Sequence, residues 1–221
     1  MRVGLFGGTF NPIHMGHVRA ALKVKEEFAL DKINFIPSAL PPHKETKGML
    51  DASDRCQMTR LAVESYPDFS VSDIELKRSG PSYTIDTVRY FKNKIPVSTP
   101  CYLIVGMDAF LEIDTWKTFQ KLFDLIPFIV MTRPAEGIKQ SAASSAELGK
   151  YIHVHVDSGY ELVHQQSCFV HLAKQSVHLF HVTPIDISST KIRNFVRQGV
   201  SIKSMVPGTV EKYIYKKGLY L

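Results

Sequence analysis

Cysteine is scarce in this chain, with three residues in 221: Cys56, Cys101 and Cys168. An odd number without Cys-x-x-Cys spacing excludes a disulfide framework and a structural zinc site. It suits a reducing compartment, so a cytoplasmic location is expected. Tryptophan is scarcer still, Trp116 being the single example. No apolar run approaches the ~20 residues needed to cross a bilayer; Tyr102–Val105 and Pro127–Met131 are among the longest. No secretory leader is expected either, because Val3–Phe6 is too short for its apolar core. Thirteen glycines and twelve prolines without a period exclude collagen-like and linker-like chains. Neither Gly-x-Gly-x-x-Gly nor Gly-x-x-x-x-Gly-Lys-Ser/Thr occurs, which counts against a hydride-transfer enzyme and a P-loop kinase. No internal repeat is visible.

What is present reads as an ordinary globular composition, 44% hydrophobic and 22% charged. The net charge of +6 favours anionic partners. The basic residues are dispersed, and their densest cluster, Lys212, Lys216 and Lys217, is short. Small phosphates are therefore expected rather than nucleic acid, with no membrane partner and a homo-oligomer left open. Strand and helix patterns alternate along the chain. Arg2–Phe6, Ile33–Ile36, Phe69–Ile74, Tyr102–Val105, Phe128–Thr132 and Leu179–Val182 read as strands. Helices are expected from Met15 to about Leu30, and over Ser53–Tyr66, Ser82–Lys94, Trp116–Leu125, Ser189–Gln198 and Pro207–Lys217. This order predicts an α/β fold, a Rossmann-like doubly wound parallel sheet with helices on both faces, in a single domain over 1–221. Glu136–Val177, His-rich, reads as a helix and loops with a strand near Ile152–Val156.

The first chemistry-bearing segment runs from Gly7 to His17, directly after the first strand. Gly7 and Gly8 let backbone approach a ligand closely. With Thr9 and Phe10 they lead to a helix start whose N–H groups and dipole suit phosphate. His14 and His17, three apart, share one helical face and are able to donate hydrogen bonds to developing negative charge. The second segment is Ile187-Ser188-Ser189-Thr190-Lys191-Ile192-Arg193, where the last strand passes into a helix. Ser188 can cap that helix. Ser189 and Thr190 bring hydroxyls and N–H groups, and Arg193 lies over the same turn, making a second anion cradle.

Gly8, Phe10, Pro12, His14, Gly16 and His17 fill the Gly-x-Phe-x-Pro-x-His-x-Gly-His signature of the nucleotidyltransferase superfamily, and Ile187–Arg193 fills its Ile-Ser-Ser-Thr-x-Ile-Arg signature. Within it the chain resembles the bacterial nicotinate-nucleotide adenylyltransferases over nearly its whole length. Further matches are Pro41-Pro42-His43-Lys44, Ser82–Thr87, Gly106-Met107-Asp108 followed by Trp116, and the C-terminal stretch from Val206-Pro207. Glu136–Val177 does not share the likeness.

The resemblance implies adenylyl transfer from ATP to nicotinate mononucleotide, with Mg2+ held through ATP phosphates and water. His14 and His17 would contact the ATP phosphates, Arg193, Ser189 and Thr190 the β- and γ-phosphates, and Lys44 the phosphates of both substrates. Gly106, Asp108 and Ile187 would frame adenosine. Tyr83, Thr84 and Trp116 would take the nicotinate half; Arg133, by its own position just after the strand Phe128–Thr132, is expected at the sheet edge where a phosphate or carboxylate can meet it. Read without the resemblance, several of these keep two meanings. Lys44 is also an ordinary solvated loop lysine, Thr84 or Asp108 a helix cap, and Trp116 a core residue. The six histidines between His153 and His181 read as solvated or core residues rather than metal ligands. The nearest alternatives are a phosphopantetheine adenylyltransferase or a cytidylyltransferase; a non-catalytic nucleotide- or nucleic-acid-binding protein is a remoter one.

Overall fold

Alternating β and α patterns become a single eight-stranded sheet in the computed structural model. The structure describes residues 1–42, 48–132, 138–183 and 185–221, and the backbone alone for 138–143. The strands are β1 (Val3–Gly8), β2 (Lys32–Pro37), β3 (Phe69–Val71), β4 (Cys101–Gly106), β5 (Phe128–Thr132), β6 (Glu161–Val163), β7 (Cys168–Val170) and β8 (Val177–His181), in the order β3-β2-β1-β4-β5-β8-β7-β6. β2 pairs with β3, β4 with β5 and β5 with β8 in parallel. The expected parallel sheet thus holds for most of its width. The last two strands depart from it, since β7 runs antiparallel to both β8 and β6. The helices are α1 (Met15–Glu27), α2 (Ala52–Val63), α3 (Thr84–Lys94), α4 (Met107–Phe110), α5 (Phe119–Leu125), α6 (Ile138–Tyr151), α7 (Ser189–Arg197) and α8 (Gly208–Lys217). Among the described residues no helix is long and apolar enough to cross a membrane.

The chain gathers into two compact units, dividing β1 between Leu5 and Phe6. One comprises Phe6–Ser82 and Ile185–Leu221. Its aromatic core is a chain of edge and tilted contacts: Phe6 to Phe10 at 5.7 Å, Phe6 to Phe35 at 5.3 Å and Phe35 to Phe69 at 5.3 Å between ring centroids. α1 buries Val18, Ala20, Ala21 and Val24, the face its helical period predicts. α2 is tied to α8 by the Tyr213 hydroxyl on Asp54 at 2.7 Å and the Thr209 hydroxyl on the Leu61 carbonyl at 2.9 Å.

The other unit comprises Met1–Leu5 and Tyr83–Pro184. It packs Phe110, Phe123 and Phe128 together, with Phe123 and Phe128 stacked at 4.7 Å. Tyr160, 1% exposed, completes that core, and its hydroxyl donates to the Gln175 carbonyl at 2.7 Å.

Three sequence expectations need correction here. Ile152–Val156 is a turn of π-helix continuing α6, not a strand; five residues alternating Ile, His, Val, His, Val are too few to separate the periods. The strands in this stretch are β6 and β7 instead. Trp116 is not helical: it follows a 3-10 turn over Ile113–Thr115, and α5 begins at Phe119 after Thr118 at φ +49°. Phe69–Ile74 shortens to β3, because the chain leaves the sheet at Ser72.

Candidate active site

β1 runs through Gly7 and Gly8 before the chain turns. Gly8 is dictated by packing, since a Cβ there would stand 2.8 Å from two carbons of the Phe10 ring. Gly7 is different: a Cβ would meet nothing within 4 Å, so its exposed backbone is bare for other reasons. Phe10 adopts φ +47°, turning the chain so that its ring lies edge-on to His17 at 5.1 Å. Four residues later His14 caps α1 in extended conformation. The His14 and His17 rings stack at 3.7 Å, on one face as their spacing predicts. Gly16 makes this possible, because a Cβ there would fall 2.9 Å from the His14 ring.

The backbone N–H of His14 donates to His17 Nδ1 at 3.3 Å. A neutral imidazole that accepts at Nδ1 carries its proton on Nε2. His17 is therefore set as an Nε2–H donor at the head of a helix, where the dipole already favours an anion. His14 is buried, 2% exposed, and His17 is half-buried.

The second segment meets the first within the same unit. Ser188 caps α7 as expected, its hydroxyl accepting from the Lys191 N–H at 3.1 Å. The Ser189 hydroxyl donates to the Pro12 carbonyl at 2.9 Å. Arg193 donates to the Asn11 carbonyl at 2.8 Å and to the Thr190 hydroxyl at 3.1 Å. The Ser189 hydroxyl thus joins the two segments, while the Thr190 hydroxyl is engaged within α7 by Arg193. What α7 offers an anion is its first-turn backbone N–H groups and the Arg193 charge. The Ile187 carbonyl lies 3.8 Å from where a Gly16 Cβ would be, so α1 and the approach to α7 are closely apposed.

A layer behind these residues escaped the sequence reading. Arg55, fully buried on α2, donates to the carbonyls of Thr9 at 2.6 Å, Ala39 at 3.0 Å and Leu50 at 2.9 Å. It binds the first-motif loop to the chain flanking residues 43–47, and burial pushes its pKa down from the ordinary value. The side chain of Asn11 donates to the Gly48 carbonyl and accepts from the Leu50 N–H and the Tyr220 hydroxyl, the last at 2.8 Å. Burial pushes the Tyr220 phenol far above its ordinary range, keeping it a neutral donor. Only a helical position for Arg55 and the family's C-terminal match hinted at any of this.

The remaining candidates lie in the other unit or outside the described residues. Lys44 and Arg133 are outside them. Gly106 caps α4, and Asp108 is exposed on its first turn; a Cβ on Gly106 would stand 2.5 Å from Asp108 Oδ1. Tyr83, not Ser82 or Thr84, is the N-cap of α3. Ser82 instead accepts the N–H groups of Ala39 and Leu40 at 2.9 and 3.2 Å. The Lys117 ammonium sits 4.2 Å over the Tyr83 ring and 3.7 Å from Asp86. Trp116 is half-buried beside it. Five of the six later histidines take structural partners: His153 the Tyr160 carbonyl, His155 Asp114, His171 Asp157, His178 the Ser176 hydroxyl and His181 Thr132.

A helix-head donor pair facing a helix start with a fixed guanidinium is chemistry for a polyphosphate. The cytidylyltransferase-like family model matches residues 5–195. The curated protein named probable nicotinate-nucleotide adenylyltransferase of Desulfatibacillum aliphaticivorans is 41% identical over 230 aligned residues, covering all of both chains. The chain belongs to the nicotinate-nucleotide adenylyltransferase branch of the cytidylyltransferase-like family. A second relative of that name, from Geobacter metallireducens, is 38% identical, with all of this chain and 98% of its own covered. Among solved structures, a Plasmodium falciparum nicotinic acid mononucleotide adenylyltransferase complexed with NaAD superposes with a TM-score of 0.71. It covers 99% of this chain and 97% of its own at 19% identity, a likeness of fold. The family model spans both signature segments.

Proposed function

We propose that the chain transfers the adenylyl group of ATP to the phosphate of nicotinate mononucleotide, giving nicotinate adenine dinucleotide and pyrophosphate, in the synthesis of NAD. The observation that carries this reading is the double bridge from α7 to the first-motif loop, Ser189 to Pro12 and Arg193 to Asn11. It holds the starts of α1 and α7 together, and the full-length relatives are named for this reaction.

The mononucleotide phosphate is already anionic at neutral pH. Its oxygen attacks the α-phosphorus of ATP, the bond to the β-phosphate oxygen breaks, and pyrophosphate leaves. No base is needed to create the nucleophile, so the protein's task is to align two polyanions and spread the growing charge. His17, with its proton on Nε2, donates to a phosphate oxygen at the head of α1. His14, stacked against it, does so from the cap. Arg193 and the N–H groups of Ser189 and Thr190 take the leaving pyrophosphate. A single well-placed donor of this kind contributes about 10²–10³ in turnover.

Mg2+ bound to the triphosphate supplies charge neutralisation. The family resemblance implies that this cation would come in on phosphate and water. Lys44 bridging the two substrates, Gly106, Asp108 and Ile187 around adenosine, and Tyr83, Thr84 and Trp116 on the mononucleotide follow the family resemblance; Arg133 joins the mononucleotide site by its position in the sequence just after Phe128–Thr132. Three free, buried cysteines suit a cytoplasmic enzyme.

Pyrophosphate release tests the reading, measured with ATP or CTP against nicotinate mononucleotide, nicotinamide mononucleotide and phosphopantetheine. Turnover with ATP and the nicotinate compound should dominate. Preference for CTP or for phosphopantetheine would overturn the substrate assignment and leave the family chemistry standing; nucleotide binding without release would overturn the enzyme.

A further inference from the structure

The His-rich stretch Glu136–Val177 has a physical employment. Asp114 lies in the 3-10 turn Ile113–Thr115 and accepts two hydrogen bonds from the end of α6 and the π-helical turn beyond it. The Tyr151 hydroxyl donates to Oδ1 at 2.7 Å, and His155 Nδ1 meets Oδ2 at 2.8 Å. The Tyr151 and His155 rings stack at 4.5 Å with 15° between their planes, so the two donors are held as a unit. The two residues are four apart, Tyr151 capping the π-helical turn and His155 within it; such turns are rare overall and frequent at functional sites.

Two residues beyond Asp114 stands Trp116. Its N–H donates to the Ile113 carbonyl at 2.9 Å, and its carbonyl accepts from the Phe119 N–H at 3.2 Å. The backbone carrying the indole is therefore a continuation of the turn that Asp114 anchors. Ile113, fully buried, fixes one side of that turn. The Tyr151–His155 pair fixes the other through a charged acceptor, the stronger class of hydrogen bond. The Asp114 carboxyl is held below its ordinary range first by the Tyr151 bond, which is the direction expected if the carboxylate is the form the clamp binds.

We propose that Tyr151, His155 and Asp114 form a clamp that positions Trp116, and that through Trp116 they set affinity for the pyridine mononucleotide. All three are positioning residues. The second half of the proposal rests on the reading of Trp116 given above; the first half does not.

Because Trp116 is the only tryptophan, its fluorescence reports the clamp directly. In the ligand-free full-length protein, Asp114→Ala should lower the steady-state anisotropy of Trp116 and raise its quenching by acrylamide about twofold or more. Titration with nicotinate mononucleotide should then show about tenfold weaker binding and a KM raised in proportion, with the KM for ATP unchanged, since a displaced positioning group costs binding at its own subsite. Asp114→Asn, which keeps an oxygen for Tyr151, should recover much of both. Tyr151→Phe keeps the stack and removes one bond, so it serves the same readouts if Asp114→Ala fails to fold. A folded Asp114→Ala protein with wild-type anisotropy and acrylamide quenching would overturn the clamp. An altered Trp116 signal with an unchanged KM for the mononucleotide would overturn its link to affinity. If the wild-type tryptophan signal and the KM of Trp116→Phe both ignore the mononucleotide, the pyridine role of Trp116 fails, and the ligand-free anisotropy still decides the clamp.

Discussion

Adding one methyl group at Gly16 should separate folding from catalysis. A Cβ at this position would stand 2.9 Å from Cε1 and Nδ1 of His14, whose ring is only 2% exposed. The ring is buried, and it is already stacked at 3.7 Å on His17. The methyl must therefore push the stacked pair by several tenths of an ångström, an overpacking cost of about 1–3 kcal/mol. Against this, alanine is the better helix residue by about 0.5–1 kcal/mol. The net loss of stability should be about 2.5 kcal/mol at most. Catalysis has no such offset. A donor displaced by a fraction of an ångström to an ångström from a transferring phosphoryl group costs up to about 10² in rate. Gly16→Ala should therefore melt within several degrees of wild type while its kcat, followed by pyrophosphate release, falls between about tenfold and a hundredfold. A kcat within twofold of wild type would show that the stacked histidines do not act on the reacting phosphates.

Other expectations follow from the same geometry. His17→Ala should lower kcat by two to three orders of magnitude, as loss of a single oxyanion donor does, with little change in thermal midpoint; near-normal turnover would remove His17 from the chemistry. Arg193→Lys keeps the charge and loses the fork that reaches both Asn11 and Thr190; kcat/KM for ATP should fall about tenfold or more, and an unchanged value would make Arg193 a spectator. Tyr220→Phe strips a buried donor from Asn11, so denaturant unfolding should show a loss of about 1–3 kcal/mol; no loss would mean the C-terminal tether is idle. The Asp157 carboxyl is pushed down to about 2, first by Lys174 and then by the Gly159 N–H. A depressed carboxylate adds stability above its unfolded value that is lost as pH falls through the folded one. Thermal midpoints of wild type should thus drop more steeply between about pH 4 and 2 than those of Asp157→Asn, and parallel curves would contradict the assignment.

Much of this site is readable before folding because both signatures are local. Gly8, Phe10, Pro12, His14, Gly16 and His17 carry their conformational reasons within ten positions, and Ser188 caps the helix its own position starts. What sequence does not reveal is which distant carbonyls these side chains meet. Arg55 reaches Thr9 and Ala39 from inside a helix, and Tyr220 closes on Asn11 from the far end of the chain. Such long-range side-chain hydrogen bonds leave no periodic trace. For the same reason Ser189 and Thr190 read as ligand hydroxyls, whereas both are engaged within the protein. Periodicity itself misleads over short windows: Ile152–Val156 alternates like a strand and winds as a π-helix. Trp116 reads as helical because Phe119–Leu125 is, yet Thr118 in a left-handed conformation breaks the run. The antiparallel β6 and β7 were hidden because three-residue strands carry almost no pattern.

The central claim is that α1 and α7 serve one triphosphate, and a structure of this chain with a non-hydrolysable ATP analogue bound tests it most directly. The account predicts phosphate oxygens of a single nucleotide within hydrogen-bond reach, about 3 Å, of both His17 Nε2 and a first-turn N–H of α7. A triphosphate touching only one of those helix starts, or lying away from both, would contradict it.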